Sequence, residues 1–288
     1  MKKVLFIINP KAGHGKGNGM EQLIFANINP YKFEVEISRT REAGHATHLA
    51  RSAAQEEVDI VVSCGGDGTL NEIAQGLIGS KTALSLLPLG SGNGLARHLK
   101  IPMNIQRALQ HFNHAKYQDL DCIKLNEHLV FNVAGIGFDA QVAHAFANMP
   151  GRGFGNYVKA VFKEYKLSAE IVFLFEGANG KQTQKSWLLS ICNSNQFGNN
   201  FRIAPKASVN DGLMDICFLK KIPFSQFPIQ AHRLFYGSIG KSSYYKTFQT
   251  NKLSIYLDAP TPAHVDGEPI MLEGIVELSM GEKLKVWC

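Results

Sequence analysis

Up to Cys122 the chain alternates short strand-like runs, most of them nearly continuously apolar, with stretches of helical periodicity, and this pattern most constrains the fold. The apolar runs are "KVLFIIN", "KFEVEIS", "DIVVSCG" and "ALSLLPL"; between them lie "MEQLIFANI", "HATHLARSAAQEE" and "GTLNEIAQGLI". Strands that are apolar on both faces, each followed by a helix, predict βαβ units and a parallel sheet covered on both sides. Two further helices are expected at "GNGLARHLK" and "NIQRALQHFN", separated by Pro102.

After Cys122 strand-like runs mostly follow one another: "HLVFNVAGIG", "AEIVFLFEG", "SWLLSICNS", "LMDICFL", "NKLSIYLD" and "KLKVWC". That texture predicts a second, β-rich and mostly antiparallel domain. Helices interrupt it at "FDAQVAHAFANM" and "NYVKAVFKEYK", with a third at "SQFPIQAHRLFYG" that Pro228 weakens. A length of 288 residues suits two domains. The expected division is 1–122, a nucleotide-binding α/β domain, and 123–288, a β-rich substrate domain whose last residues may rejoin the first.

The net charge of +6 points to an anionic partner. The Lys and Arg residues form no dense stripe and no RNA or DNA motif appears, which argues against nucleic acid. Five scattered cysteines without a CxxC pair fit a reducing cytoplasm better than a disulfide framework. The opening "MKKVLFIINPKAG" is too short in its apolar run for a leader and reads as a buried strand. No segment supplies the roughly 20 apolar residues of a membrane span, so the expectation is a soluble, cytoplasmic protein, at most peripheral at a membrane.

Glycine-rich loops follow three of the first four strands. In "NPKAGHGKG" the glycines could admit a nucleotide, with Lys11 or Lys16 near its charge, or form a plain turn. No Walker A loop can be placed there. "GGDGTLNE" turns a strand into a helix, and its amides suit phosphate. Asp67 in its centre would repel that phosphate unless a cation, Mg²⁺ by preference, lies between them, or unless Asp67 works on the far side of the loop. A bare N-cap role is the plainer alternative. "PLGSGNGLAR" repeats the pattern, with Ser91 able to donate to phosphate and Asn93 able to brace its neighbour. "GIGFDA" fits a dinucleotide fingerprint, but the basic, helical region after it lacks the required acid and second strand, so NAD binding is rejected. In "NDGLMD", Asp211 and nearby carbonyls either hold a hard cation or make a turn. In "HVDGEP", Glu268 is either a solvated turn residue or a catalytic carboxylate.

Taken in order, "NPKAG", Thr40, "GGDGTLNE", "PLGSGN", "GIGFDA", "NDGLMD" and "VDGE" resemble the diacylglycerol kinase catalytic-domain family, which includes sphingosine and ceramide kinases and bacterial lipid kinases. The resemblance covers almost the whole chain. It implies a Rossmann-like α/β domain of the NAD-kinase and diacylglycerol-kinase type plus a β-rich domain. It implies an ATP-dependent kinase acting on a diacylglycerol-like lipid at a membrane surface, with a phosphatidic acid-like product. The implied nucleotide site is Asn9, Pro10, Lys11, Ala12, Gly13, Thr40, Gly65, Gly66, Asp67, Gly68, Thr69, Leu70, Asn71 and Ser91. Glu268 is implied as catalytic base, with Asp67 allowed as base by the sphingosine-kinase branch. A structural Mg²⁺ is implied at Asp211 with backbone oxygens of Ser208 and Leu213, and Asp121 and Asp139 align more weakly with acids linked to activity or lipid recognition. Gly94 departs from members that carry an acid there and is closer to sphingosine-type kinases. A soluble-substrate kinase resembling NAD kinase and a non-catalytic nucleotide- or membrane-binding protein are the competing readings. Lys159, Lys163 and Lys166 share one helical face that could lie on an acidic bilayer.

Overall fold

The computed structural model describes residues 1–14, 19–147, 149, 154–178 and 180–288. Two compact units divide the chain: residues 1–121 with 282–288, and residues 122–281.

In the first unit the apolar runs become strands, as the pattern predicts. In chain order they are β1 (Lys2–Ile8), α1 (Met20–Asn27), β2 (Phe33–Arg39), α2 (His45–Gln55), β3 (Ile60–Gly65), α3 (Asp67–Leu77), β4 (Ala83–Pro88), α4 (Gly94–His98), α5 (Ile105–Phe112) and β5 (Tyr117–Leu120). Every residue of β3 and β4 is buried. This is what a central parallel strand with helices on both faces requires.

The second unit runs β6 (Ile123–Leu125), β7 (His128–Val130), β8 (Val133–Gly137), α6 (Phe138–Ala147), α7 (Phe154–Leu167), β9 (Ile171–Gly177), β10 (Gly180–Ser186), β11 (Leu188–Cys192), β12 (Met214–Leu219), α8 (Phe227–Phe235), β13 (Tyr245–Thr250), β14 (Lys252–Val265) and β15 (Glu268–Met280). Its pairings are all antiparallel, in the order β13-β12-β11-β8-β14-β15-β6-β7, with β9 joining β14 to β10. One apolar cluster, including Ile136, Phe173, Ile191, Ile216, Ile255 and Val276, fills the sheet interior. A second packs the helices, where Phe138 stacks on Trp187 at 3.6 Å between ring centres and Tyr165 meets Trp187 edge-on.

The chain then returns to the first sheet as β16 (Leu284–Trp287), giving the order β2-β1-β3-β4-β16-β5. Strands β1 to β4 are parallel; β16 is parallel to β4 and antiparallel to β5. Ser85 Oγ donates to the Trp287 carbonyl and the Trp287 indole donates to the Phe112 carbonyl, which fixes this last strand.

Three local expectations are corrected. "HLVFNVAGIG" is two strands, because the N–H groups of Phe131, Asn132 and Val133 turn to the Asp266 carboxylate. Pro228 does not weaken its helix: it occupies the first turn of α8, where no N–H is needed. Strand β14 continues through Pro260 and Pro262, with an irregularity between Leu257 and Thr261 where the pairing shifts.

Candidate functional site

Sheet order locates the loops. The connection after β1 runs to one side, to β2, and the connection after β3 runs to the other, to β4, so the sheet switches direction between β1 and β3. Open α/β sheets take ligands beyond the carboxyl ends of their strands at such a point. Asn9 follows β1, Thr40 follows β2, Gly66 and Asp67 follow β3, and Leu89 to Ser91 follow β4; all four loops share one edge. Across the switch, Asn9 Nδ2 donates to Thr69 Oγ1 at 2.9 Å. The Asn9 N–H bonds the Cys64 carbonyl and the Thr40 N–H bonds the Ile8 carbonyl, so each loop is anchored where its strand ends.

Asp67 opens α3, behind an N-cap at Gly66, and does not cap the helix itself. Its carboxylate spans to the next loop: Oδ2 accepts the Asn93 N–H and Oδ1 the Gly94 N–H, both at 3.0 Å. The Leu89 and Gly90 N–H groups bond the Gly65 carbonyl. Asn93 adds a bond from its side-chain amide to the Gly90 carbonyl, within its own loop. The Asp67 carboxylate is thus an acceptor for the backbone of the neighbouring loop.

The glycines answer to the same packing. A Cβ on Gly90 would stand 2.6 Å from the Gly66 Cα, and one on Gly65 2.5 Å from the Thr69 Cβ. Close approach of two backbones, together with Thr69 folded over Gly65, demands glycine here before any phosphate is considered.

Elsewhere along this edge, Gly13 takes a left-handed conformation (φ 59°) at the end of "NPKAG" and the Lys11 N–H bonds Asn9 Oδ1. Lys11 and Ser91 are exposed and Thr40 is half-buried. Neither the Thr40 nor the Ser91 side chain has a hydrogen-bond partner among the described residues; Lys16 lies outside them. Leu70 and Asn71 are buried in α3, Leu70 bonding back to the Gly66 carbonyl. Glu72 is a residue whose role the sequence hides: its carboxylate accepts the Ala46 N–H at the start of α2 and its carbonyl accepts Thr47 Oγ1. An acid at a helix N-terminus is favourable there.

The second unit carries the other acids. Asp266 and Gly267 (φ 50° and 89°) make the two-residue turn between β14 and β15, the left-handed pair an Asp-Gly hairpin favours. Asp266 is buried and accepts three consecutive N–H groups, from Phe131, Asn132 and Val133, at 2.9–3.0 Å. Glu268, the next residue after the turn, is exposed and opposite Val265, and its carboxylate accepts no hydrogen bond among the described residues. Behind the turn His264 Nε2 lies 3.5 Å from Asp139 Oδ2, the Gly267 N–H lies 3.4 Å from His264 Nδ1, and Ser190 donates to Asp139. Gly135 of "GIGFDA" makes this possible: a Cβ there would sit 2.1 Å from Asp139 Oδ2 and 2.6 Å from His264 Nε2. That glycine accommodates side chains of its own unit.

Two family models match the chain: the diacylglycerol kinase catalytic domain over residues 3–125, and the YegS C-terminal NAD kinase beta sandwich-like domain over 132–280. The chain belongs to the diacylglycerol kinase family of lipid kinases. It is 26% identical to a diacylglycerol kinase of Bacillus subtilis (strain 168), covering 93% of this chain and 90% of that one. It is 30% identical to the protein named "probable lipid kinase YegS-like" of Shewanella frigidimarina (strain NCIMB 400), over 82% and 78%. The crystal structure of a diacylglycerol kinase from Bacillus anthracis str. Sterne shares the fold, with a TM-score of 0.73, 20% identity and coverage of 99% and 96%. The α/β and β-rich halves read from the sequence are those of this lipid-kinase family, and the chain is a phosphotransferase with an alcohol acceptor.

In this lipid kinase the "NDGLMD" segment offers hard oxygen donors. Asp211 Oδ1 accepts the Leu213 N–H at 3.1 Å, and Ser208 Oγ donates to Asn210 Oδ1. Burial pushes the carboxyl of Asp215 above its ordinary value; a bond from the Gln249 amide offsets part of this and the charge of Asp211 adds to it. The Asp211 carboxylate and the carbonyls beside it are the donor types a cation such as Mg²⁺ takes, together with water. Among the described residues no three His, Cys, Asp or Glu side chains converge, so carbonyls and water would complete the shell. Asp121, buried, pairs with Lys283 at 3.1 Å within the first unit. No described helix is long and apolar enough to cross a membrane.

Proposed function

We propose that the chain is an ATP-dependent lipid kinase that phosphorylates a hydroxyl of a diacylglycerol-like lipid to give a phosphatidic acid-like product. The observation that carries the nucleotide part is the Asn9–Thr69 bond across the switch point of a parallel sheet. Around it stand the loops of Asn9 to Gly13, Thr40, Gly65 to Asn71 and Ser91. Asp67 holds two of them at a fixed spacing, so their N–H groups are set before ATP arrives, and Lys11 and the Ser91 hydroxyl are free to meet its phosphates. Phosphoryl transfer asks mainly for such positioning and charge neutralisation. Mg²⁺ on the nucleotide would supply that neutralisation, and Asp211, with carbonyls of Ser208 and Leu213, would hold a second ion that keeps the approach to β12 in shape. Glu268 accepts the proton of the lipid hydroxyl; its exposed carboxylate has no hydrogen-bond partner among the described residues and directly follows the Asp266–Gly267 turn.

The enzyme works in the cytoplasm, as five cysteines without a disulfide suit, and meets its lipid peripherally. Lys159, Lys163 and Lys166 are exposed along α7 beside exposed Phe162 and Leu167, while Ala160 is buried. Ser91 to Gly94 favours a second acceptor, a sphingoid base, because Gly94 leaves no acid on that loop. A labelled-ATP assay against diacylglycerols, sphingoid bases, ceramide and NAD in mixed micelles separates the readings. Product from diacylglycerol is expected; product from NAD alone, or ATP binding without any turnover, overturns the proposal.

A further inference from the structure

Residues 177–257 hold ten Lys and Arg and two acids, Asp211 and Asp215, so this segment is more positive than the whole chain at +6. Within it α8 is turned inside out. Its outward residues are Pro228, Ile229, His232 and Phe235, one face at helical spacing, while Gln230 is buried. Phe224 just before it and Tyr236 just after it are 63% and 65% exposed, and Ile229 and Phe235 are 48% and 42% exposed. Tyr236 packs on both His232 and Phe235, and Phe235 meets Phe201 edge-on, so the rings form one ordered surface.

Beside that surface stands Arg202. Its N–H bonds the Leu234 carbonyl at 2.9 Å, which ties it to the last turn of α8. Its Nε is buried without a hydrogen-bond partner, and its guanidinium makes no ion pair among the described residues. A half-buried guanidinium with no ion pair and an unbonded Nε is suited to a phosphate, whose oxygens match its fork. Arg233 and Lys241 carry the same charge nearby in sequence, with no acid between Ile216 and Leu257. A protein partner has no need of this combination; a sheet of phosphates above apolar chains supplies both halves. The surface is also continuous with α7, since Phe162 and Phe224 are ring neighbours at 6.2 Å.

We propose that the outer face of α8 seats on a bilayer of acidic phospholipid, with Phe224, Ile229, Phe235 and Tyr236 entering the interface and Arg202 taking a lipid phosphate. The proposal rests on the lipid-kinase reading and names the face by which that enzyme reaches its surface.

Sedimentation of the full chain with phosphatidylcholine vesicles, alone or mixed with phosphatidylglycerol, tests it. Ile229→Glu with Phe235→Glu should weaken binding to mixed vesicles by roughly tenfold or more. Arg202→Gln should weaken it by about fivefold on mixed vesicles, one cation near an acidic surface being worth that much, and by less on neutral vesicles, whose phosphates carry no net surface charge. A Tyr236→Trp reporter should be quenched by brominated acyl chains. Ile229→Glu alone, at an exposed site, repeats the test should the double variant melt early. Wild-type levels of binding in these variants, an unquenched reporter, or no binding by the wild type each overturn the proposal. Turnover of a short-chain, monomeric diacylglycerol is read separately. The double variant should keep it, whereas loss of turnover by wild type on every lipid strikes the kinase reading and leaves docking to be judged by sedimentation.

Discussion

Both oxygens of Asp67 are held by the neighbouring loop, Oδ2 by the Asn93 N–H and Oδ1 by the Gly94 N–H, each at 3.0 Å. Asp67→Asn retains one acceptor and sets an NH₂ group against the other N–H. Leaving a part-buried donor unpaired costs roughly 1–3 kcal/mol. The expected outcome is a lower urea midpoint without nucleotide and weaker ATP binding by calorimetry. A variant that unfolds and binds ATP like wild type but does not turn over would make Asp67 a catalytic group instead.

The loop-to-loop approach gives a second test. Gly90→Ala forces a Cβ to 2.6 Å from the Gly66 Cα and 2.8 Å from Asn93 Oδ1. Overpacking of this kind costs about 1–3 kcal/mol. Stability and ATP affinity should fall together, with KM for the lipid unchanged. Gly155→Ala, an open site on α7, should be neutral or stabilising. Equal behaviour of the two variants in melting and ATP titration would show that the two loops can part at no cost.

The glycine-rich loops were legible in the sequence because glycine after a buried apolar strand has few alternatives. Asp67 could be recognised as out of place beside phosphate, but its partners are backbone groups 26 and 27 residues later, set by how two loops meet. Glu72 was hidden for the same reason, its donors belonging to the preceding helix. Strand β10, "GKQTQKS", carries no apolar alternation and forms only as the partner of β9. The prolines of "DAPTP" masked the middle of β14, and the long β15 beyond "VDGE" lacked an even alternation. Asp266 was visible as a turn residue, not as the acceptor for three amides brought from Phe131 to Val133.

Asp215 supplies a pH test. Its folded-state carboxyl titrates above its ordinary 3.8 because burial, helped by Asp211, disfavours the charge. A raised acid contributes stability that is fully present below 3.8 and lost as pH rises through the folded value. Asp215→Asn keeps the Gln249 bond and removes the charge. Without metal it should be more stable than wild type at neutral pH, with the gap closing as pH falls toward 3.8. Mg²⁺ at ten times its Kd should restore about 1.4 kcal/mol to wild type, and far less to Asp211→Ala. Melting curves across pH, with Mg²⁺ or EDTA, check both; a metal effect identical in Asp211→Ala would remove the ion from this segment.

Glu268 and Asp266 are neighbours across one glycine and should fail in opposite ways. Glu268 is exposed with no hydrogen-bond partner among the described residues, so Glu268→Gln removes nothing the fold uses. Its melting temperature and ATP affinity should match wild type, while kcat falls by about 10²–10⁴, the usual worth of a general base. Asp266→Ala instead strands three buried N–H groups, each costing roughly 1–3 kcal/mol, and frees the turn that carries Glu268. It should lose stability first and activity as a consequence, with Asp266→Asn intermediate because one acceptor oxygen survives. Calorimetric melting, ATP titration and kcat at saturating lipid on the three variants separate position from chemistry. Wild-type turnover by Glu268→Gln would end its role as base and leave Asp67 as the carboxylate to test in its place.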